Sequence, residues 1–580
     1  MKPRAVTILH ACCALALAGW AVAASAGIEV QVSGLEDPEK ENVELRLRIR
    51  TMAKSPDLDD LLVEGLHARA EDDIRAALQP YGYYSPVIES KLEGTAPDWK
   101  ASYTVDKGPP TLITRIDVAV EGAGQGDRIF RRVFRRFPLT TWERLQHAEY
   151  EAAKTALSRA AYAEGYLDAV FATSEIRVNP EERSAEIELI LDTGPRYFFG
   201  PVTVEQQILD EGVAERYVTI QPGQPFDPQQ LLDTQFALTD LDYFQSVEIE
   251  PKRDQVKDAQ VPVLVHTTPR PRRKWDLGVG YGTDTGARAS IANEVRLLNR
   301  RGHKIRGELQ VSEFKNSLSG EYRIPLGRKA GEYFGFGGAS QTERYEDGES
   351  FKYSLNTALY RFPGHWKRKW YLIFEHEESE LSDRVQTADL LMPGIELSRS
   401  ELNDPIVPRR GWSLFTDAHG AQKGALASAS FVQARSVLRG VYPYLRRGRL
   451  LGRVEYGANL VDDFDDLPAS QRFFAGGDQS VRGYDYQSLG PRDDLGKVVG
   501  GKFLASGSLE TDYFFWDQWG LAAFYDVGGA DDNALPQLFH GVGVGARYRS
   551  PVGYIQVDLA HPLTGDDGGI KLHFGVRVGL

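Results

Sequence analysis

The sequence of 580 residues has little cysteine, little methionine and no long hydrophobic run. It contains two cysteines and three methionines. The longest uninterrupted apolar stretch, residues 11–24, is shorter than the ~20 residues that a membrane-spanning helix needs. Since the mean hydropathy is only −0.37, the chain is not predicted to be a polytopic helical membrane protein.

The first 26 residues have the pattern of a secretory signal peptide. Lys2 and Arg4 precede the apolar stretch, and the small residues 24–26 (Ala-Ser-Ala) end it. We therefore expect cleavage before Gly27 and export to an oxidising compartment, with a retained membrane anchor as the alternative. Both cysteines would leave with the signal, so the mature chain would fold without disulfides. Loss of two cations would change the formal charge from −14 to −16.

The chain also lacks surplus positive charge and any recognisable catalytic motif. An acidic protein gains nothing from attraction to phosphate, so nucleic acid is not an expected partner. The 11 histidines include no H-E-x-x-H pair, and no G-x-S-x-G elbow occurs. Residues 278–282 are glycine-rich, but no predicted helix follows them as a phosphate loop requires. We expect neither enzyme activity nor a metal or other cofactor.

A repeated unit of about 80 residues occupies the first half of the chain. Helical spacing near residue 75 is followed by Gly82-Tyr83, and similar spacing near residue 155 is followed by Gly165-Tyr166. Each glycine suits a left-handed helix cap. Two strand-like runs follow each cap, and a third copy fits residues 197–268. The pattern predicts small α+β domains.

The second half has a different composition and a different period. Residues 271–580 contain 42 glycines, against 15 in residues 1–270. Apolar and polar residues alternate over 275–282, 453–460, 554–559 and 572–580, which predicts strands with one apolar face. Segments of ~9–11 residues with aromatic ends fit transmembrane strands, and this length allows roughly 16 of them. A soluble β-sandwich is the alternative, although its strands would be shorter.

The repeats resemble POTRA domains, the βααββ periplasmic modules of the superfamily of POTRA-plus-barrel outer-membrane insertases. The resemblance implies three α+β POTRA repeats followed by a 16-stranded antiparallel transmembrane β-barrel, in the outer membrane of a Gram-negative bacterium with the POTRA domains in the periplasm. Unrelated α+β domains are the alternative. The predicted bounds are 1–26 for the signal peptide, 27–106, 107–194 and 195–268 for the POTRA domains, and 272–580 for the barrel.

The most specific stretch is Val481-Arg482-Gly483-Tyr484, which resembles the VRG(F/Y) signature in the sixth extracellular loop of this superfamily. In that family the loop folds back into the barrel. Asp526 lies in Phe524-Tyr-Asp-Val-Gly-Gly, which resembles the family's F-x-D-x-G strand motif. These five residues form the predicted loop-6 lock, in which Arg482 pairs with Asp526 because a guanidinium binds a carboxylate through two bonds. Two ordinary lumen charges are the alternative.

The two ends of the barrel are predicted to form a weak junction. In the family, the first and last strands meet at a seam that can open sideways, and glycines in the first strand favour such a seam. The chain ends in Leu580, whereas the family's sorting signal commonly closes on an aromatic residue. The predicted seam residues are Trp275, Leu277, Gly278, Gly280, Phe574, Val576, Val578 and Leu580.

Three POTRA domains resemble the TamA branch of the superfamily, the outer-membrane subunits of translocation and assembly modules. The resemblance implies an assembly factor for unfolded outer-membrane protein clients, such as autotransporters and other barrels, that works within the lipid bilayer. It also implies an inner-membrane-anchored partner of the TamB type. A two-partner-secretion transporter and a passive porin are the alternative functions.

Overall fold

The structure is a computed structural model. It describes residues 27–577 apart from 56–57, 96–97, 285, 328, 346, 363, 383, 552 and 566–568. The predicted signal peptide lies outside the described residues, as do Val578 and Leu580 of the predicted seam. Over the described part of the chain, no helix is both long enough and apolar enough to cross a membrane.

Three small sheets of three strands each, with their helices, form the first half. In the first two sheets the last strand lies in the centre, parallel to the first strand and antiparallel to the second. The strand orders are β1-β3-β2, β4-β6-β5 and β7-β9-β8. The elements are β1 (Gly27–Ser33), α1 (Glu39–Arg46), α2 (Arg48–Thr51), α3 (Asp60–Ala68), α4 (Ala70–Leu78), β2 (Val87–Thr95), β3 (Asp98–Asp106), β4 (Leu112–Glu121), α5 (Arg128–Phe134), α6 (His147–Ala163), β5 (Val170–Asn179), β6 (Ser184–Asp192), β7 (Phe198–Glu205), α7 (Pro228–Thr239), β8 (Phe244–Pro251) and β9 (Gln260–Pro269).

Helix packing in the first unit follows directly from the sequence. Ile74 and Leu78 are four residues apart on α4, so they share one face, and both are fully buried against the sheet residue Tyr103. Gly82, which ends the helical region, has a positive φ of 81°. A Cβ there would lie 2.3 Å from the carbonyl oxygen of Leu145 in the next unit. Glycine is therefore required both for the turn and for this close approach.

The third unit has fewer helices than the βααββ pattern predicts. It contains one α-helix, α7, and a 3₁₀ turn at Glu215–Tyr217. Pro222 and Pro225 lie just before α7 and lack the N–H groups that a second α-helix would need there. Most of this unit belongs to the same compact body as the barrel.

The second half forms one sheet of sixteen strands in sequence order, and each strand pairs antiparallel with the next. This confirms the predicted fold class. The strands are β10 (Arg273–Gly282), β11 (Gly286–Val295), β12 (Lys304–Ser312), β13 (Lys315–Pro325), β14 (Tyr333–Tyr345), β15 (Gly348–Arg361), β16 (Trp366–Leu381), β17 (Arg384–Leu402), β18 (Gly411–Ala421), β19 (Phe431–Tyr444), β20 (Gly448–Val461), β21 (Phe503–Phe514), β22 (Trp519–Asp531), β23 (Phe539–Ser550), β24 (Gly553–Pro562) and β25 (Lys571–Arg577).

Strand length varies more than the sequence pattern predicts. β16 and β17 have 16 and 19 residues, whereas ~9–11 residues suffice to cross the bilayer. The alternation of side chains is as predicted: on β22, Leu521 and Tyr525 point outward and are exposed, while Phe524 and Asp526 are buried inside. The strands therefore present apolar residues to lipid and place charged residues in the lumen.

Candidate functional site

Loop 6, residues 462–502 between β20 and β21, packs its signature against the inner wall of the barrel. Val481 is fully buried, and Arg482 and Tyr484 are each 2 % exposed. Val481 and Tyr484 belong to an apolar cluster with Leu504 at the start of β21. A loop residue as polar as arginine is buried here because its partners are charged.

Arg482 contacts Asp526 through two of its three guanidinium nitrogens. Its Nε donates to Asp526 Oδ2 at 2.7 Å, and Nη2 donates to Oδ1 at 3.0 Å. The backbone N–H of Arg482 also donates to Asp526 Oδ2, at 3.2 Å. The guanidinium carbon lies 3.3 Å from the centre of the Phe524 ring, a cation–π contact. The structure thus places the predicted pair in a two-pronged, desolvated geometry.

The site is larger than the predicted pair. Arg482 Nη1 also donates to Glu510 Oε2 and to Asp558 Oδ2, both at 2.9 Å. A second arginine, Arg547, donates to Glu510 Oε1 at 2.8 Å and forms an ion pair with Asp558. Three carboxylates and two guanidiniums therefore share one buried network. Each carboxylate has a partner, as buried charge requires.

Gly483 and Tyr484 fix the backbone that follows Arg482. Gly483 has a φ of 99° and its amide donates to His573 Nε2 at 3.0 Å. The Tyr484 hydroxyl donates to the carbonyl oxygen of Thr564 at 2.6 Å. On the wall, a Cβ at Gly541 would lie 2.1 Å from the Arg482 carbonyl oxygen. The signature can dock at this position only because residue 541 of the barrel wall is a glycine.

A second anchor holds the start of loop 6 to three strands that precede it in the sequence, β16, β19 and β20. The backbone N–H of Ser470 donates to Oε1 of Glu377 on β16 at 3.1 Å, and Glu377 is fully buried. The carbonyl oxygen of Gln471 accepts from Asn459 Nδ2 at 2.7 Å and from Gln433 Nε2 at 2.8 Å. Loop 6 is therefore fixed at both ends of the lumen-facing segment.

The seam between β10 and β25 has little backbone pairing. The sheet order begins at β10 and ends at β25, and over the described residues these two strands form no ladder with each other. The amide of Thr283 donates to the Phe574 carbonyl oxygen at 3.3 Å, and the Phe574 amide donates to the Thr283 hydroxyl at 3.4 Å. A strand edge on each side is thus left largely unpaired.

Side chains at the seam take the orientations that the alternation predicts. Trp275, Leu277 and Val279 face outward and are 59 %, 77 % and 92 % exposed, and Val576 also faces outward. Gly278 and Gly280 lie on the inner face beside side chains of the neighbouring strand β11: a Cβ at Gly278 would lie 2.6 Å from Ser290 Oγ. These glycines therefore make room for β11 side chains, a role that sequence reasoning did not assign.

Asp284, Asp478 and His573 meet at the seam, and sequence reasoning missed all three. One ligand-type atom of each lies within 4.8 Å of the others. Burial, together with the charge of Asp478, raises the pKa of Asp284 to about 7. Both ring nitrogens of His573 are occupied, Nε2 by the Gly483 amide and Nδ1 by Asp478. The group is therefore built as a hydrogen-bonded cluster.

A third contact region joins the third POTRA unit to the first barrel strands. Asp242 forms ion pairs with Arg270, just after β9, and with Arg296, whose Nε donates to Asp242 Oδ2 at 2.6 Å. The Tyr243 hydroxyl donates to the Gly302 carbonyl oxygen at 2.5 Å. The bonds to Arg296 lower the pKa of Asp242 despite its burial. These contacts fix the turn between β11 and β12.

Three family models match the chain. The Omp85 superfamily domain matches residues 298–580, POTRA domain TamA domain 1 matches residues 29–107, and a POTRA model described as surface antigen variable number repeat matches residues 197–269.

Two curated relatives are outer membrane protein assembly factors named BamA. The one from Nitratidesulfovibrio vulgaris is 24 % identical over 429 residues, 70 % of this chain and 54 % of the relative. The one from Neorickettsia risticii is 25 % identical over 390 residues, 61 % of this chain and 51 % of the relative. The chain spans about half the length of these curated relatives.

The fold is also that of a solved structure. BamA from Haemophilus ducreyi lacking POTRA domains 1–3 superposes with a TM-score of 0.66 at 15 % identity, covering 80 % of this chain and 99 % of that one. Residues 298–580 therefore match an Omp85 superfamily domain and residues 29–107 and 197–269 match POTRA domains, which places the barrel in the outer membrane and the POTRA domains in the periplasm.

Proposed function

We propose that this protein is an outer-membrane assembly factor that helps to insert or translocate autotransporters and other β-barrel clients. The observation that carries the proposal is the seam. Val279 on its first strand is 92 % exposed, and β10 and β25 share no ladder over the described residues. An unpaired strand edge can bind an extended client segment through backbone hydrogen bonds. A client strand could then pass from the edge into lipid.

The POTRA domains would recruit unfolded clients, and a TamB-type protein anchored in the inner membrane is the proposed partner. The match of residues 29–107 to the first POTRA domain of TamA supports this branch, and so do the three three-stranded units that precede the barrel. The bounds 27–106, 107–194 and 195–268 stay predictions. We further propose that the work needs no catalytic group, since client folding and local thinning of the bilayer can supply the free energy.

The two alternatives require an open lumen. A two-partner-secretion transporter passes a polypeptide through the barrel, and a porin passes small solutes. In this protein the loop-6 side chains Arg482 and Tyr484 are buried against the wall, so loop 6 would have to leave first. This burial supports transfer at the seam over transfer through the lumen.

Depletion of the protein, followed by quantitative proteomics of the outer membrane, tests the proposal. We expect loss of particular barrel proteins and their return on complementation. An unchanged barrel complement would contradict the assembly role.

A cross-linked pair of cysteines tests whether the seam itself must open for the protein to support assembly. The rings of Tyr281 and Phe574 lie 6.3 Å apart across the seam, so a short bifunctional methanethiosulfonate reagent should join Y281C to F574C through two reducible disulfides and tie β10 to β25. We expect this variant to complement only under reducing conditions. The two single-cysteine variants serve as controls and should complement in both conditions.

A further inference from the structure

We propose that Asp284, Asp478 and His573 form a proton-dependent latch that closes the cell-surface end of the seam. β10 starts at Arg273, next to the third POTRA unit, so the turn that follows Gly282 lies at the opposite end of the barrel. The role of this latch as a gate for clients rests on the proposed function, whereas opening and closing of the latch can be measured without a client.

The latch joins three separate elements through Asp478 of loop 6. The Asp478 amide donates to Asp284 Oδ2 in the β10–β11 turn at 2.5 Å. The Asp478 carboxylate accepts from the Thr283 hydroxyl at 2.9 Å and from His573 of β25. Since Thr283 also bonds to Phe574, loop 6 bridges the two strands where their own pairing is sparse.

The hydrogen bonds define the protonation state of His573. Its Nε2 accepts from the Gly483 amide at 3.0 Å, so that nitrogen carries no proton. Nδ1 therefore carries the single proton of a neutral imidazole and donates it to Asp478. Since both ring nitrogens are engaged in hydrogen bonds, His573 has no lone pair left for a metal ion.

The two carboxylates therefore face each other with no lysine or arginine of the described residues in direct contact. Asp284 and Asp478 are both largely buried. Besides each other, the main titratable neighbours are His573 and, for Asp284, Tyr486 of loop 6. Asp478 also lines a lumen cavity with Arg439, Arg453 and Arg482, which lie beyond ion-pair contact with it. Within the described residues no lysine or arginine forms an ion pair with either carboxylate; the nearby Lys571 is paired with Asp485 instead.

A proton on Asp284 removes this repulsion, which sets the sign of the pH dependence. Its pKa in the closed latch is raised to about 7, by burial first and then by the charge of Asp478. In the open state a solvated Asp284 has an ordinary acidic pKa. Closure therefore takes up a proton, becomes more favourable as the pH falls through 7, and loses this stabilisation above 7.

Distances between spin labels on the two seam strands test the latch. Leu277 and Leu572 point outward and are 77 % and 57 % exposed, so L277C with L572C can carry nitroxide labels in the full chain reconstituted in lipid nanodiscs. The ratio of closed to open populations is measured by pulsed electron paramagnetic resonance between pH 5.5 and pH 8.5. We expect it to fall up to about 30-fold over this range, with most of the change below pH 7 and little above it.

The variant D284N should abolish the pH dependence, because asparagine keeps the shape and an acceptor oxygen but does not titrate. D485N is the matched control: Asp485 lies in the same loop and pairs with Lys571 of the same strand, but it is exposed. Its pH profile should match that of the parent.

Two results would overturn the latch: a parent whose distances do not change between pH 5.5 and 8.5, or a D284N protein that keeps the parental profile. The parental titration decides the question even if D284N fails to fold. Because no client is present in the nanodiscs, a negative result leaves the assembly role standing, and an unchanged outer-membrane proteome leaves the latch standing.

Discussion

Arg482 and Asp526 lie 44 residues apart in the sequence and form a two-pronged ion pair with both side chains buried. Their separation links a loop to a strand, so the pair fixes the position of loop 6 rather than the fold of one element. Removal of Arg482 would leave three buried carboxylates with one guanidinium between them. Removal of Asp526 would take away the two-bond contact but leave Arg482 its bonds to Glu510 and Asp558.

Loss of the Asp526 charge should release loop 6. D526N removes the charged two-bond acceptor of Arg482 but leaves Glu510 and Asp558, and we expect a cost of about 1.5–3 kcal/mol in docking of the loop. R482K should also weaken docking, because an ammonium group cannot form the planar two-bond contact. Protease cleavage within residues 485–497 measures release. The exposed D485N serves as the control, and slow cleavage in D526N would refute the lock.

The second arginine should be as important as the first. Glu510 accepts from both Arg482 and Arg547, so the two arginines share an acceptor. We expect R482M and R547M to be non-additive, with a coupling energy of about 0.5–3 kcal/mol in a double-mutant cycle. Thermal unfolding followed by heat-dependent gel mobility provides the measurement. Strict additivity would show two independent ion pairs.

A methyl group on the wall should block docking without any change of charge. A Cβ at Gly541 would lie 2.1 Å from the Arg482 carbonyl oxygen, so G541A should expose loop 6 to protease. Gly452 on β20 has no atom within 4 Å of a built Cβ. G452A is therefore the matched control and should behave as the parent does. Equal protection in both variants would contradict the close approach.

The junction between the third POTRA unit and the barrel should weaken in acid. The pKa of Asp242 is lowered, since its bonds to Arg296 outweigh the opposing effect of burial. A carboxyl group with a lowered pKa stabilises the folded junction above its ordinary pKa and loses this effect as the pH falls through the lowered value. Hydrogen exchange in the β11–β12 turn should therefore rise below about pH 4.

In D242N the same turn should exchange faster at neutral pH and show little further acid dependence. D240N, a substitution two residues away in the sequence, is the control. An acid response in D242N equal to that of the parent would assign the effect to another group.

The sequence predicts the elements of this protein better than it predicts their partners. Period-two alternation locates β10 and β24 because each strand must show one face to lipid. The pairing of Arg482 with Asp526 was accessible through two motifs. Arg547 and Asp558 were not, because neither lies in a motif, although alternation over 554–559 already places Asp558 on the inner face.

The cluster at the seam was invisible for a different reason. Asp284, Asp478 and His573 come from a turn, a loop and the last strand, with sequence separations of 194 for the first two and 95 for the last two. No local pattern reports contacts of that range. The spacing of the seam glycines predicts a weak junction, whereas in the structure Gly278 accommodates Ser290 of the next strand. Spacing alone cannot show what a missing side chain makes room for.

The attachment of loop 6 to both β16 and β25 has a consequence for the order of folding. The amide of Ser470 donates to Glu377 of β16, and the amide of Gly483 donates to His573 of the last strand. Contacts so distant in sequence form late, because the chain between them must first be ordered. Docking of loop 6 is therefore a terminal event, and a barrel that lacks its final strand keeps the loop undocked.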